Sequence, residues 1–229
     1  MTTPVLPFGS LHTDASEALC RLGWTQGMER AVDGSMCLTG ALKACSPQPG
    51  DWTLARAVYR RHGHGEGWND NPGRTADEVI EYLAATPVKN DDLIAVFGPQ
   101  WEAIVALVLQ AAILTSKDED ILLSTYNKLR SLVSQSNIDA AWAAMRYAAG
   151  SSALHDNAQI AAWNAITDTR RANNDNNSIE VIKSQQWAVC ALAVRDLIGQ
   201  ERFTQDDYDI LTGSWATAIG LVHPADRAY

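Results

Sequence analysis

The stretch that decides the fold is residues 101–114, which read WEAIVALVLQAAIL. Apolar residues would cover nearly every side of a helix formed by this stretch, as is typical of a helix at the centre of a bundle. It includes Glu102 and Gln110 and is shorter than the roughly 20 apolar residues that cross a bilayer. It therefore predicts a buried helix and no membrane span.

Signals for further helices lie on both sides of this stretch. A capping residue followed three positions later by an acid marks a helix start. Such pairs are Asp14 with Glu17, Thr75 with Glu78, Ser116 with Glu119, Ser136 with Asp139, and Thr204 with Asp207. The alternation of period two that is typical of strands is nearly absent, and the single strand-like stretch, Leu93 to Phe97, is too short to form a sheet alone. The sequence therefore predicts an all-α protein.

The two halves of the chain differ in composition. Residues 1–88 are predicted to form a small helical domain with a glycine-rich loop at residues 62–74. Residues 89–98 form a polar linker, and residues 99–229 a helical bundle rich in alanine and tryptophan.

Within the bundle, three tryptophans stand beside small residues in predicted helices, at Trp142, Trp163 and Trp187. This spacing favours one aromatic wedge per helix, although a degenerate helical repeat would also produce it. The helix around Trp163 is expected from about Ala153 to Arg171, before the polar run Asn173 to Asn177.

Composition excludes some functions. The chain has a net charge of −9 and lacks the clustered basic residues that bind nucleic acid. Its content of 46% hydrophobic residues is typical of an ordinary globular protein. Residues 1–10 have no secretory leader pattern and no cysteine lies in a Cys-x-x-Cys pair, so we expect a cytoplasmic protein with reduced thiols and no membrane partner.

The glycine-rich loop carries the candidate site residues. His62 and His64, with Glu66 and Asp70, are residue types that bind zinc or manganese, and Cys37 or Cys45 could complete a zinc site. The alternative is an exposed loop whose histidines bind nothing.

A second hypothesis places an anion or small molecule at the end of this loop. Arg74 and the free N–H groups of the helix that begins at Thr75 would hold the anion, and Trp68 would stack on a base or sugar. Asn69 and Asp70 complete this candidate set. The alternative is that Thr75 and Asp70 satisfy those N–H groups and that Arg74 pairs with Asp77 or Glu78.

Catalytic signatures are absent from the sequence. It contains no Gly-x-Ser-x-Gly and no glycine-rich phosphate-binding or dinucleotide motif. We therefore predict no catalytic residue and no cofactor.

The first third of the chain resembles a known family. The motifs are Gly23-Trp24, Asp33-Gly34, Gly40-Ala41-Leu42, Trp68-Asn69-Asp70 and Pro72-Gly73-Arg74-Thr75. Together they resemble an uncharacterised family common in actinobacteria and their phages, over about residues 14–86. The resemblance implies a source, such as a mycobacteriophage, and no established activity.

Three functional hypotheses follow. The first is a non-enzymatic phage or prophage accessory protein in the host cytoplasm that binds a host or phage macromolecule, with a protein, host or self, as partner. The second is an enzyme that binds a small molecule, anion or metal through residues 62–75. The third is a virion or assembly component that forms homo-oligomers.

Overall fold

The computed structural model describes residues 8–48, 50–150, 155–161, 163, 164, 167 and 179–226. These residues form α-helices, one short 3-10 helix and isolated β-bridges, without a β-strand. The predicted all-α class is therefore confirmed. The chain divides into two compact units, residues 1–93 and residues 94–229.

The first unit contains five complete helices among its described residues. They are α1 (Leu11–Leu22), α2 (Leu38–Cys45), α3 (Asp51–Arg61), α4 (Glu66–Asn69) and α5 (Ala76–Ala85). Helix α1 packs against α2 and α5 and buries one face, with Leu11, Ala15 and Leu19 inside. This spacing of four residues places the three side chains on one side of the helix.

Helix α6 (Asn90–Phe97) spans the boundary between the units and occupies most of the predicted linker. Leu93, Val96 and Phe97 are buried at helical spacing, and the Asp92 carboxylate accepts a hydrogen bond from the Lys89 N–H at 2.9 Å. The strand-like interpretation of Leu93 to Phe97 was therefore wrong, because a capped first turn and a one-sided apolar face favour a helix.

The second unit is a helical bundle. Its described elements are α7 (Trp101–Ala111), α8 (Ser116–Leu132), α9 (Gln135–Ala149), α10 (Ile179–Ala193), a 3-10 helix (Arg195–Leu197) and α11 (Gln205–Ala218). Helix α10 packs against α7, α8, α9 and α11. Helix α7 is buried on most sides, as predicted, but among the described helices it packs mainly on α10, so α10 holds the central position expected for α7.

Two tryptophans fill space between helices of this bundle. Trp187 of α10 lies 5.4 Å from the Tyr126 ring and 6.4 Å from the Trp142 ring, centroid to centroid. Trp163 is instead 42% exposed, so it is no wedge in the described part of the chain. The helix expected from Ala153 to Arg171 lies partly, and the polar run Asn173 to Asn177 wholly, outside the described residues.

Among the described residues, no single helix has the length and apolar character to cross a membrane. Helices α6 and α7 reach that length and composition only as a pair, and the pair is bent by 88°.

Candidate functional site

The Trp68-Asn69-Asp70 motif lies at the end of α4, and its centre is a buried amide. Asn69 is 2% exposed. Its side-chain oxygen accepts hydrogen bonds from the indole N–H of Trp24 at 2.8 Å and from the backbone N–H of Leu38 at 3.1 Å. One side chain thus connects the predicted loop to the segment between α1 and α2.

The other end of Asn69 and the side chain of Asp70 complete this connection. The Asn69 amide donates to the Asp70 carboxylate at 2.7 Å and to the Thr25 carbonyl at 3.4 Å. The same Asp70 oxygen accepts from the Gly27 N–H at 3.0 Å. The Gln26 side chain donates to the carbonyls of Asn69 and Asn71. We name the side chains of Trp24, Gln26, Asn69 and Asp70 the clasp.

The clasp holds the loop formed by residues 23–37, which we call the 23–37 loop. Backbone hydrogen bonds join Thr25 N–H to Met36 O at 3.0 Å and Met36 N–H to Gly23 O at 3.0 Å. Gly23 has φ +90°, a conformation in which glycine is strongly favoured. The backbone of this loop is therefore bonded both within itself and to residues 69–71.

The 23–37 loop is also held by a close approach of its backbone to α2. The Glu29 carbonyl accepts from the Cys37 N–H at 3.2 Å and lies over the first turn of α2. A Cβ added at Gly40 would lie 1.9 Å from that oxygen. Only glycine at position 40 lets the loop and the helix come this close.

The 23–37 loop displays apolar side chains to solvent. Val32 is fully exposed and Met28 is 53% exposed, beside exposed Glu29 and Arg30. No motif in the sequence had indicated these residues as a surface. One signal in the sequence could have indicated their exposure. Met28 and Val32 stand in a stretch with glycines at 27 and 34 that has no helical or strand periodicity, so nothing predicts that they are buried.

The predicted anion site has internal partners. The Arg74 guanidinium lies 4.0 Å from the centroid of the Trp68 ring and 3.1 Å from a Glu78 oxygen. Thr75 caps α5, because its hydroxyl accepts from the Glu78 N–H at 3.3 Å while Glu78 accepts from the Thr75 N–H at 2.9 Å. The Thr75 cap and the pair between Arg74 and Glu78 agree with the alternative described above. Asp70 does not, because its carboxylate accepts from the Gly27 N–H and not from the first turn of α5.

The two histidines of the predicted metal site lie in an aromatic cluster. The His64 ring stacks on Tyr82 with centroids 3.8 Å apart, and its pKa is lowered mainly by burial. His62 lies between the Tyr82 hydroxyl at 3.3 Å and the Asp92 carboxylate at 3.1 Å. The described residues contain no group of three or more His, Cys, Asp or Glu side chains placed to hold a metal ion.

A buried acid stands apart from all of these residues. Asp51 begins α3 and is fully buried. One carboxylate oxygen accepts from the Gln48 N–H at 3.2 Å, and the other has no hydrogen-bond partner among the described residues. Burial raises the pKa of this carboxyl to about 6.

Comparison with known proteins gives one match. Residues 10–87 match the model of a family described as a family of unknown function (DUF6197). The first unit therefore carries an uncharacterised domain, as the resemblance over about residues 14–86 implied. The match covers 78 of 229 residues, about a third of the chain. No curated protein and no solved structure matches the chain.

Proposed function

We propose that this protein acts by binding another protein, and that the 23–37 loop is its contact surface. The observation that supports this proposal is the exposure of Val32 and Met28 on a loop that the clasp holds in place. The proposal concerns the first unit alone.

A clasped loop suits recognition because its order is established before binding. Association costs free energy when a flexible loop must be fixed at the interface, and a pre-organised loop avoids much of this cost. The Asn69 amide already donates to the Thr25 carbonyl, and the Asp70 carboxylate accepts from the Gly27 N–H. The binding free energy of the exposed side chains is then not offset by a cost of ordering the loop backbone.

The residue types of the loop are also those of protein interfaces. Methionine and arginine are enriched at such interfaces, and methionine adapts to irregular apolar surfaces. Met28 and Arg30 are both exposed in this loop, within four residues of Val32 along the chain. An apolar centre with charged neighbours is the usual composition of a protein contact.

An enzyme or small-molecule site at residues 62–75 has less support. Arg74 forms an ion pair with Glu78 and donates to the Trp68 carbonyl, while Asn69 and Asp70 bond to Thr25 and Gly27 of the 23–37 loop. A ligand there would have to displace bonds that the fold already makes. In the setting that the resemblance implies, the partner is a host or phage protein in the cytoplasm of an actinobacterium.

A pair of surface variants tests the proposal. The full chain, a Met28→Ser, Val32→Ser double variant and a Leu132→Ser control are immobilised and exposed to an actinobacterial lysate. Leu132 is 75% exposed and belongs to the second unit, so its substitution removes exposed apolar surface outside the 23–37 loop. We expect one partner that the wild type and the control retain and the double variant loses.

The partner is then purified and titrated against the three proteins. Binding that is weakened only in the double variant supports the proposal. Equal binding by all three proteins would contradict it, as would capture of nothing beyond this chain. If only this chain is captured, light scattering identifies a homo-oligomeric assembly protein, because its mass would increase with protein concentration.

A further inference from the structure

Residues 221–226 follow α11 without regular secondary structure, and we call them the strap. The strap begins directly after Gly220, whose φ of +147° is a conformation that residues with a side chain rarely adopt. Glycine at this position lets the chain bend away from the helix. The strap belongs to the second unit and is independent of the function proposed for the 23–37 loop.

A cavity lies on each side of the strap. One has a volume of about 430 Å³ and is lined by a face of α11 and by Leu221, Ala225 and Asp226 of the strap. The other has a volume of about 420 Å³ and is lined by the start of α7 and by residues 221–224. Leu221 lines both cavities, so the strap lies between them. Side chains beside a cavity lose packing contacts, and low packing is typical of elements that open locally.

One carboxylate makes the polar contacts that hold the strap to the rest of the unit. Among the described residues, each hydrogen bond or ion pair that leaves the strap is made by Asp226. Its Oδ1 lies 2.6 Å from Nη1 of Arg195, and its Oδ2 accepts from the Tyr208 hydroxyl at 3.2 Å. Val222 is 5% exposed and is the apolar anchor of the strap. We call the contacts of Asp226 with Arg195 and Tyr208 the latch.

The ion pair of the latch is buried but poorly directed. The side chains of Arg195 and Asp226 are 14% and 10% exposed, yet Nη1 and Oδ1 make no hydrogen bond with each other or with another described residue. Removing two charges from water is costly, and good hydrogen-bond geometry is needed to recover that cost. Because both charges regain water when the strap opens, opening costs less free energy than it would for a well-bonded pair.

We propose that the strap is a releasable lid of the second unit. The latch breaks and the strap turns about Gly220, while the helices of the bundle stay folded. Opening removes the wall that the two cavities share, so that they become one groove bordered by α7 and α11, and it exposes Val222. The closed and open states therefore present different surfaces to solvent.

Thiol labelling of the full chain tests this directly. Val222→Cys places a thiol at the buried anchor of the strap with little change in side-chain size. Cys190 of α10 is fully buried and is the internal control, because it becomes accessible when the bundle unfolds. The protein is incubated with iodoacetamide at neutral pH, and labelling of each cysteine is followed by peptide mass spectrometry. We expect slow labelling at position 222 while Cys190 remains unlabelled.

Two further variants, made in the Val222→Cys protein, measure what the latch contributes. Arg195→Gln should raise the labelling rate at position 222 by about tenfold, because it leaves the buried Asp226 carboxylate without its positive partner. Arg130→Gln should leave the rate unchanged, since Arg130 is an exposed arginine of the same unit that bonds to Gln135. Circular dichroism checks that each variant is folded.

Three results would overturn the proposal. Equal labelling rates at position 222 and Cys190 would mean that the strap opens only when the whole bundle unfolds. Immediate labelling at position 222 with the latch intact would mean that the strap is never closed. If the Arg195 and Arg130 variants were labelled at the same rate, the contacts of Asp226 would not hold the strap.

Discussion

A buried amide side chain is satisfied only when both of its ends are bonded, and Asn69 meets this condition. Its oxygen accepts from Trp24 and Leu38, and its nitrogen donates to Asp70 and Thr25. Aspartate could not donate at the second end, and leucine could bond at neither. The geometry therefore explains why asparagine occupies this position without requiring a ligand.

We expect Asn69→Ala to lower the free energy of unfolding of the first unit by about 2 to 4 kcal/mol, because the substitution leaves the Trp24 indole and the Leu38 N–H without their buried acceptor. Urea denaturation followed by tryptophan fluorescence measures the change. Asn71→Ala is the matched control, since Asn71 is exposed and contributes its backbone carbonyl to the clasp. Equal losses in both variants would contradict the role of the Asn69 side chain.

Asp51 predicts a pH dependence of stability. Its pKa is about 6 in the folded protein against 3.8 for an unperturbed aspartate, so the folded state binds the proton more tightly than the unfolded state. The contribution of this group to the free energy of unfolding is fully present below about pH 4 and is lost as the pH rises through about 6. At pH 7, Asp51→Asn should therefore stabilise the protein by up to about 3 kcal/mol, with no gain at pH 3.

Thermal melts between pH 3 and pH 8 measure this difference. Asp33→Asn is a control of opposite sign, because hydrogen bonds from Ser35 lower the pKa of Asp33. Its charge stabilises the fold at neutral pH, and that contribution is lost as the pH falls through the lowered pKa. A gain for Asp51→Asn that is the same at pH 3 and pH 7 would show that burial of its charge is not the cause.

At the scale of the helix, the strongest local devices are three capping boxes. They join Thr75 with Glu78, Thr115 with Asp118, and Thr204 with Asp207. We expect Thr204→Ala to cost about 1 kcal/mol, since the Asp207 N–H loses its acceptor. Thr217→Ala, in the last turn of the same helix α11, should cost nothing, because alanine is the better helix former.

Chemical denaturation of the two single variants tests the capping box directly. If Thr217→Ala were as destabilising as Thr204→Ala, the loss would reflect removal of a threonine in general and not removal of the cap.

Capping pairs show how far local sequence predicts this fold. The pairs at Thr75 and Thr204 were predicted correctly. The capping pair of α8 was predicted at Ser116 with Glu119 and lies one residue earlier, because Thr115 and Asp118 offer the same chemistry one position back. Similarly, α9 is capped by Ser134 and not by Ser136. Adjacent hydroxyl residues make several starts equivalent locally, and tertiary packing selects one.

The candidate site was less predictable, for a physical reason. The hydrogen bond between Trp24 and Asn69 joins residues 45 positions apart, and no local pattern reports such a contact. The sequence analysis singled out Trp68-Asn69-Asp70 as candidate binding residues, but no local pattern could reveal that partners of Asn69 and Asp70 lie in the 23–37 loop. The exposure of Val32 was also missed, because the 23–37 loop has no helical or strand periodicity from which exposure could be predicted.

At the scale of the whole molecule, the clasp belongs entirely to the first of the two units. Every bond of the clasp joins residues within 1–93. Helix α1 packs against both α2 and α5, and Leu19, Leu42 and Leu83 of these helices are completely or almost completely buried. A chain of this length can bury a core sufficient for independent folding.

We therefore expect the fragment of residues 1–93, expressed alone, to fold with the clasp intact. The Trp24 indole N–H should give a dispersed nuclear magnetic resonance signal that exchanges slowly with solvent, because its acceptor, Asn69, is buried. The same fragment carrying Asn69→Ala is the matched control and should lose that protection. A wild-type fragment with the collapsed spectrum of an unfolded chain would contradict the prediction, and would mean that residues 94–229 are needed to complete the core on which the 23–37 loop rests.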